Sequence, residues 1–219
     1  MTRRSRLLTT TAAGVTAALL LAGCGGESQG SKSNEKGEDE GASASVSPSA
    51  SASASSSTGR PQVTLPSDVT DEYVDWKTGD AAKDAVLTDT AARIDATNDA
   101  ILRGDTGAPG LSFYYRDKAL SGAVAWIQAY LDAGLSFTGT TRYYAPQVTL
   151  SSGEATATVL YCSDESKGFN KNRKTGKVDR TPSAQRPYLL YNTRLAKNGS
   201  GVWQTTALSS HRGDKACTG

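Results

Sequence analysis

The stretch DKALSGAVAWIQAYLDAGLSFTGTTRYYAPQVTL, from Asp117 to Leu150, changes its hydrophobic period halfway along. Up to Gly134, the residues Leu120, Val124, Ile127 and Leu131 recur at steps of four, three and four, which places them on one stripe of a helix over 117–133. Gly134 supplies the stop. Beyond it Leu135, Phe137, Thr141 and Tyr143 alternate, as the side chains of a half-buried strand do, and Gln147 to Leu150 resume the strand after Pro146. The boundary between a helical and an extended region therefore falls at one residue.

Outward from this junction the same two periods persist on their own sides. Asp80 to Arg103 reads as an earlier helix, with Leu87, Ala91, Ile94 and Ile101 on its core stripe and Asp84, Asp89, Arg93 and Asp95 expected to solvate the rest; Gly104 ends it. Downstream, Ser151-Ser152-Gly153 is a turn, and strands are expected over 154–162, 188–195 and 202–208. Asn198-Gly199 marks a hairpin between the last two, and that turn explains the Asn198-Gly199-Ser200 pattern better than glycosylation does. Helices first and an antiparallel meander afterwards predict an α+β domain with the helices on one sheet face.

The paired helices, Val159-Leu160-Tyr161-Cys162-Ser163-Asp164, the turn Lys174-Thr175-Gly176-Lys177-Val178 and the late Val202-Trp203-Gln204 resemble the NTF2-like (SnoaL-like) domains of lipoproteins in high-GC Gram-positive bacteria. The resemblance spans about 80 to 217. It implies a curved antiparallel sheet folded around the helices into a cone-shaped pocket, lined by some of Trp126, Tyr130, Phe137, Tyr143, Tyr161, Tyr191 and Trp203. Those aromatics either hold a small apolar ligand or fill a core. Enzymes of this family place a carboxylate inside the cone with a Tyr or His partner. Here the candidates are Asp105, Asp132 and Asp164, with Tyr114, Tyr130 or Tyr143 as donor. Asp132 ends a helix and Asp164 begins a polar loop, where solvent exposure is the ordinary expectation, and a proton-abstracting base needs enclosure. A non-enzymatic module is expected, with an isomerase-like or dehydratase-like activity as the alternative.

The N-terminal part has another character. The first 60 residues of the 219 contain none of the fifteen aromatics. Arg3, Arg4 and Arg6 precede a mostly apolar run from Leu7 to Leu21, the pattern of a secretory signal over 1–23 that is too short for a comfortable membrane span. Leu21-Ala22-Gly23-Cys24 resembles the lipobox of bacterial lipoproteins, which implies a diacylglycerol thioether on the Cys24 sulfur and a two-chain anchor. The Thr2 to Leu8 segment fits a twin-arginine signal and an ordinary basic leader equally. From 24 to 66 an acidic cluster (Glu35 to Glu40) and an Ala/Ser run (Ala42 to Thr58) predict a disordered tether, and 67–219 is left as the folded domain. A root-mean-square tether span of roughly 35 Å follows from chain statistics. The expected location is the outer face of the cell membrane, lipid-anchored.

Composition narrows the partners. A hydrophobic fraction of 37% excludes a polytopic membrane protein, and loss of the leader leaves 21 basic against 22 acidic side chains, so charge offers no basis for nucleic-acid binding. Asp164 to Pro187 is locally basic through Lys167, Lys171, Arg173, Lys174, Lys177, Arg180 and Arg186; it reads as a solvated β-ribbon turning at Thr175-Gly176 or as a contact for anionic wall polymer. Partners left open are a small apolar ligand and an envelope protein. With Cys24 lipidated, Cys162 and Cys217 remain, and an even pair in an exported chain predicts a disulfide. A Cys–His catalytic pair with His211, the only histidine, lacks a third orienting group. Lys174-Thr175-Gly176 resembles one signature of penicillin-binding enzymes, but the companion Ser-Asp-Asn is missing and the only Ser-x-x-Lys, at Ser33, falls in the tether. No metal or cofactor is expected, since no His/Cys/carboxylate cluster or glycine-rich strand–helix junction occurs.

Overall fold

A computed structural model describes residues 59–180 and 186–217; the signal segment, Cys24 and the tether up to residue 58 lie outside the described residues. The chain divides into two units, Met1–Ser53 and Ala54–Gly219, and everything described belongs to the second.

Helix α1 (Ala81–Arg103) forms where the period of the sequence placed it. Asp80 caps its start, its carboxylate accepting from the amides of Ala82 (2.9 Å) and Lys83 (3.1 Å). Gly104, at φ 75°, closes it by donating to the carbonyls of Ala100 and Ile101. Arg173, arriving from the sheet, donates to the carbonyls of Leu102 (2.9 Å) and Ile101 at the same end, where the helix dipole favours a cation. A short helix α2 (Pro109–Tyr114) follows, with proline in its first turn, and then α3 (Asp117–Asp132). Six residues do not complete two turns, so α2 left no periodicity to read.

Five strands form one sheet in the order β1-β2-β3-β4-β5. They are β1 (Val69–Tyr73), β2 (Leu135–Leu150), β3 (Thr156–Asn172), β4 (Tyr188–Lys197) and β5 (Trp203–Arg212). β2 to β5 make the expected antiparallel meander, while β1 adds to β2 in parallel, Val69 opposite Gly139, so the sheet is mixed rather than wholly antiparallel. β1 had no signal of its own. Its five residues include two acids that are placed there by partners far along the chain.

The sheet curves because β2 is interrupted twice. Its register against β3 shifts between Thr140 and Arg142 and again between Tyr144 and Gln147, where Ala145 takes φ 51° ahead of Pro146. Gly139 sits at φ 99° with the Lys167 carbonyl so near that a Cβ would lie 2.1 Å from it, so no other residue fits this bend. Curvature brings β2 and β5, three strands apart, to the same helices: α1 and α3 each pack on both. The helices thus bridge the concave face, which is the cone that the resemblance implied.

The connection after Cys162 is mostly strand. β3 continues to Asn172 against the first half of β2, and the chain turns at Arg173–Gly176, where the Asn172 carboxamide accepts from the amides of Lys174 and Thr175. On the convex face Cys162 and Cys217 are disulfide-bonded across 55 residues, and the Tyr144 hydroxyl donates to the Cys217 carbonyl. The C-terminal tail is thereby held over the central strand. Loop entropy alone makes such a bond worth roughly 4 kcal/mol.

Two sequence expectations fail on α1. Asp89 and Arg93, assigned to the solvated face, are 1% and 4% exposed. Asp89 receives the Trp203 amide (2.8 Å) and pairs with Arg60. Arg60 and Val63 had been placed in the tether by composition, yet Val63 packs against the cluster of Ala96, Tyr114 and Val202, so ordered contacts begin upstream of residue 67. α1 crosses a sheet on one side and packs on α2 and α3 on the other, and a stripe one residue wide cannot serve both.

Candidate functional site

The concave face is not filled. Between α1, α3 and the sheet lies a cavity of about 690 Å³, of the size that holds small molecules. Its wall on α3 is Lys118, Ala119, Gly122, Ala123, Trp126 and Tyr130, a helical face on which Ala119, Gly122 and Ala123 are small. The residues that stand deepest on α3 are accordingly Ala119, Ala123 and Ile127, while Leu120, Val124 and Leu131 of the predicted stripe are half-buried. Large side chains at 119, 122 and 123 would close the space. The hollow is written in small residues that hydrophobic periodicity passes over.

Six of the seven predicted lining aromatics stand around this cavity: Trp126, Tyr130, Phe137, Tyr143, Tyr161 and Tyr191. Trp203 does not. It is buried with Val86, Leu87, Val159 and Leu195 at the packed end of the domain, because its position at the start of β5 lies beyond the region that α3 spans. The rings form two arrays, Tyr143–Tyr161–Tyr191 on the sheet and Trp126–Tyr130–Phe137 between α3 and β2. Tyr161 stacks on Tyr191 (centroids 4.8 Å, planes 5° apart), Tyr143 meets Tyr161 edge-on at 6.2 Å, and Trp126 meets Tyr130 edge-on at 5.4 Å. Burial pushes the Tyr143, Tyr161 and Tyr191 hydroxyls above their ordinary range, so all three are neutral at physiological pH.

Exposure rises from one end of the cavity to the other. Arg93, Tyr115 and Tyr161 close the inner end and are almost wholly buried. Trp126 (57%) and Leu208 (38%), the exposed large hydrophobic side chains among the described residues, both belong to the outer rim. Glu165 also lines the rim and is tied to Arg212 at 2.8 Å.

Arg93 is the group that sequence reasoning misplaced most. Its Nη1 donates to the Tyr115 hydroxyl (3.2 Å) and its Nη2 to the Tyr161 hydroxyl (2.7 Å). Tyr115 shares a hydrogen bond with Thr97 Oγ1 (2.9 Å), which donates to the Arg93 carbonyl (2.8 Å), so the inner end is a closed ring of donors and acceptors. Arg93 Nε has no partner among the described residues. In the sequence, Asp89 and Arg93 stand four apart as an ordinary surface ion pair would. Only the burial of both separates the two cases.

A second buried cluster stands behind the cavity wall. Asp71 on β1 faces Asp95 on α1; Asn98 donates to Asp71 (2.7 Å) and the Tyr73 hydroxyl donates to Asp95 (2.6 Å). Burial pushes the Asp71 carboxyl up to about 7, reinforced by the neighbouring Asp95 and opposed by Asn98, and burial also raises Asp95 against the hydrogen bonds it receives. The two acids titrate together as a pair. Asn98 and Tyr143 line the cavity but neither acid does.

The carboxylates expected from the resemblance are elsewhere. Asp105 and Asp132 are exposed, accepting from the Gly107 amide and the Gln128 side chain, and Asp164 accepts from the Ser166 amide on β3. None lines the cavity, nor does Tyr114, whereas Tyr130 and Tyr143 do. His211 is exposed on β5. Of the basic residues after Asp164, Lys171 pairs with Asp68 (2.8 Å), Arg173 caps α1 and Arg180 lies over the Phe169 ring (5.0 Å). No group of three or more potential metal ligands occurs among the described residues, and none of the described helices is long and apolar enough to cross a membrane.

No protein-family model matches the chain, and no curated protein matches it. Solved structures with a similar arrangement include a ketosteroid isomerase-like protein from Erwinia carotovora atroseptica (20% identity, 59% of this chain and 96% of that one, TM-score 0.39). They also include ActVI-ORFA from Streptomyces coelicolor (10%, 59% and 93%, TM-score 0.35) and a putative polyketide cyclase from Xanthomonas campestris pv. campestris (15%, 56% and 89%, TM-score 0.29). TM-scores below 0.5 assign neither a family nor an activity to this chain.

Proposed function

We propose that this chain is a lipid-anchored extracytoplasmic lipoprotein whose folded domain is a non-enzymatic binding module, its cone taking a small, largely apolar molecule. The observation that carries this reading is the open, aromatic-walled cavity, about 690 Å³ in volume and reaching the surface beside Trp126 and Leu208. Apolar walls with a few placed polar groups are what a small-molecule site needs. Binding is favoured over proton transfer by where the acids stand. Glu165, the carboxylate on the cavity lining, is held by Arg212 at the rim, and Asp71 and Asp95 sit behind Asn98 and Tyr143. A base must reach the proton that it removes.

The anchor rests on the sequence: the basic start, the apolar run and the four residues ending in Cys24. The Cys24→Ser chain is expected to leave the membrane fraction and to lose the mass of the acyl groups. Native mass spectrometry and titration with the neutral probe N-phenyl-1-naphthylamine then test the cone on that soluble full-length chain. Bound mass or saturable fluorescence supports the module. No retained mass, together with no saturable probe binding, removes it.

A further inference from the structure

We propose that the inner end of the cone is a seat for a single negative charge, so that the molecule held there is a monocarboxylate with a flat apolar body. This rests on the reading of the cone as a binding site and specifies its occupant.

The seat is Arg93 with Tyr161. Arg93 is 4% exposed, lines the cavity and carries a permanent positive charge. Among the described residues no carboxylate lies within ion-pair distance of it. Asp95 feels its field without forming an ion pair with it, and accepts instead from the Tyr73 hydroxyl (2.6 Å). The guanidinium's direct partners, Tyr115 and Tyr161, are neutral hydroxyls. A buried cation ordinarily faces a counter-charge, and here Arg93 has none while it lines the cavity.

Two donors remain uncommitted at this point. One is Arg93 Nε–H, buried with no acceptor among the described residues. The other is the Tyr161 hydroxyl proton: its oxygen accepts from Arg93 Nη2, and no described acceptor takes its hydrogen. The Tyr115 hydroxyl is different, since its proton is shared with Thr97. One cationic N–H beside one charge-assisted O–H matches the two oxygens of a carboxylate. The same pair is too few for a phosphate dianion; of the other cations on the lining, Arg212 is bound to Glu165 and Lys118 is exposed to solvent.

The remainder of the cavity sets the body of the ligand. Beyond Tyr161 the aromatic wall is Tyr191, Phe137, Tyr130 and Trp126, rings that offer faces and edges to a flat hydrocarbon, while the other charged groups on the lining are the Glu165–Arg212 pair and the exposed Lys118. Tyr161 joins the two halves, its ring stacked in the aromatic wall and its oxygen on Arg93.

Equilibrium titration of the full-length Cys24→Ser chain with naphthalene-2-carboxylate, naphthalene-2-carboxamide and N-phenyl-1-naphthylamine, read by isothermal titration calorimetry, tests the assignment. The carboxylate is expected to bind at least about tenfold more tightly than the isosteric amide, the advantage of a charge-assisted contact over a neutral one. Arg93→Met should abolish that preference while the neutral amine still binds, and Arg93→Lys should retain part of it. If Arg93→Met does not fold, Tyr161→Phe is the second variant, expected to weaken the carboxylate by about tenfold and the amide much less. Equal affinity of the wild-type chain for carboxylate and amide overturns the seat and leaves the binding module standing. Failure of all three probes to bind overturns both.

Discussion

The two ends of this domain are built from the same sheet and the same long helix, yet one is solid and the other hollow. At the solid end Trp203, Leu195 and Val159 of the sheet meet Val86 and Leu87 of α1. At the hollow end the sheet faces α3 instead, and α3 presents Ala119, Gly122 and Ala123. Ile94, Tyr143 and Tyr161 belong to both ends and form the partition between them. A cavity therefore requires no special backbone. It requires that one helix on a curved sheet withhold its large side chains from the side it turns inward, while its large residues move to the rim as Trp126 and Tyr130.

The comparison breaks most severely at the solid end. Trp203→Ala removes the largest fully buried side chain and should cost about 3–5 kcal/mol in denaturant unfolding, where no relaxation of neighbours closes the space. A loss below 1 kcal/mol would mean that this end is as yielding as the other.

An intermediate effect is expected behind the partition. The Asp71 carboxyl takes its proton more tightly in the fold, up to about 7, than in the unfolded chain, near 3.8. Its contribution to stability is thus complete below about pH 4 and is lost as pH rises through about 7, with a slope of up to about 1.4 kcal/mol per pH unit between them. Asp71→Asn keeps a donor for Asp95 and an acceptor for Asn98 at every pH. It should flatten thermal stability between pH 5 and 8 and raise it at pH 8. An unchanged slope in the variant would place the titrating group elsewhere.

The smallest change in stability, and the sharpest in binding, belongs to the hollow end. Ala123→Phe puts a ring into existing space, so unfolding free energy should stay within about 1 kcal/mol of the wild type, whereas the same enlargement in a packed core costs about 1–3 kcal/mol. Saturable binding of N-phenyl-1-naphthylamine should disappear. Retained binding would show that the ligand does not lie against α3.

Much of this architecture was legible because it is local. Asp80 and Gly104 bracket α1, Gly134 divides helix from strand, and the alternating runs mark β2 to β5; each depends on residues within a few positions of one another. The Asn198 turn was equally plain, its carboxamide accepting from the amides of Ser200 and Val202, although the left-handed residue is Gly201 and not Gly199. The pairing of Cys162 with Cys217 followed once Cys24 was set aside as the lipidated residue of an exported chain, which leaves two cysteines. Six lining aromatics could be named because a resemblance supplied the cone, while Trp203 could not be told from them, since its alternation is the same and only its height along the cone differs.

What the sequence determined by itself was the order of α1, α3 and β2 to β5 and the cysteine pair, because chain period, capping and cysteine count are read without knowing the fold. What the tertiary structure decided was which charges are inside. Arg93, Asp89 and Asp95 have the spacing of a solvated helix face, yet Arg93 and Asp89 are buried and Asp95 half-buried, because the curvature of β2 brings β2 and β5 to one helix and encloses that face as well. Burial depends on residues up to 114 positions away, Asp89 on Trp203 and Asp71 on Asn98, and no local pattern carries that information.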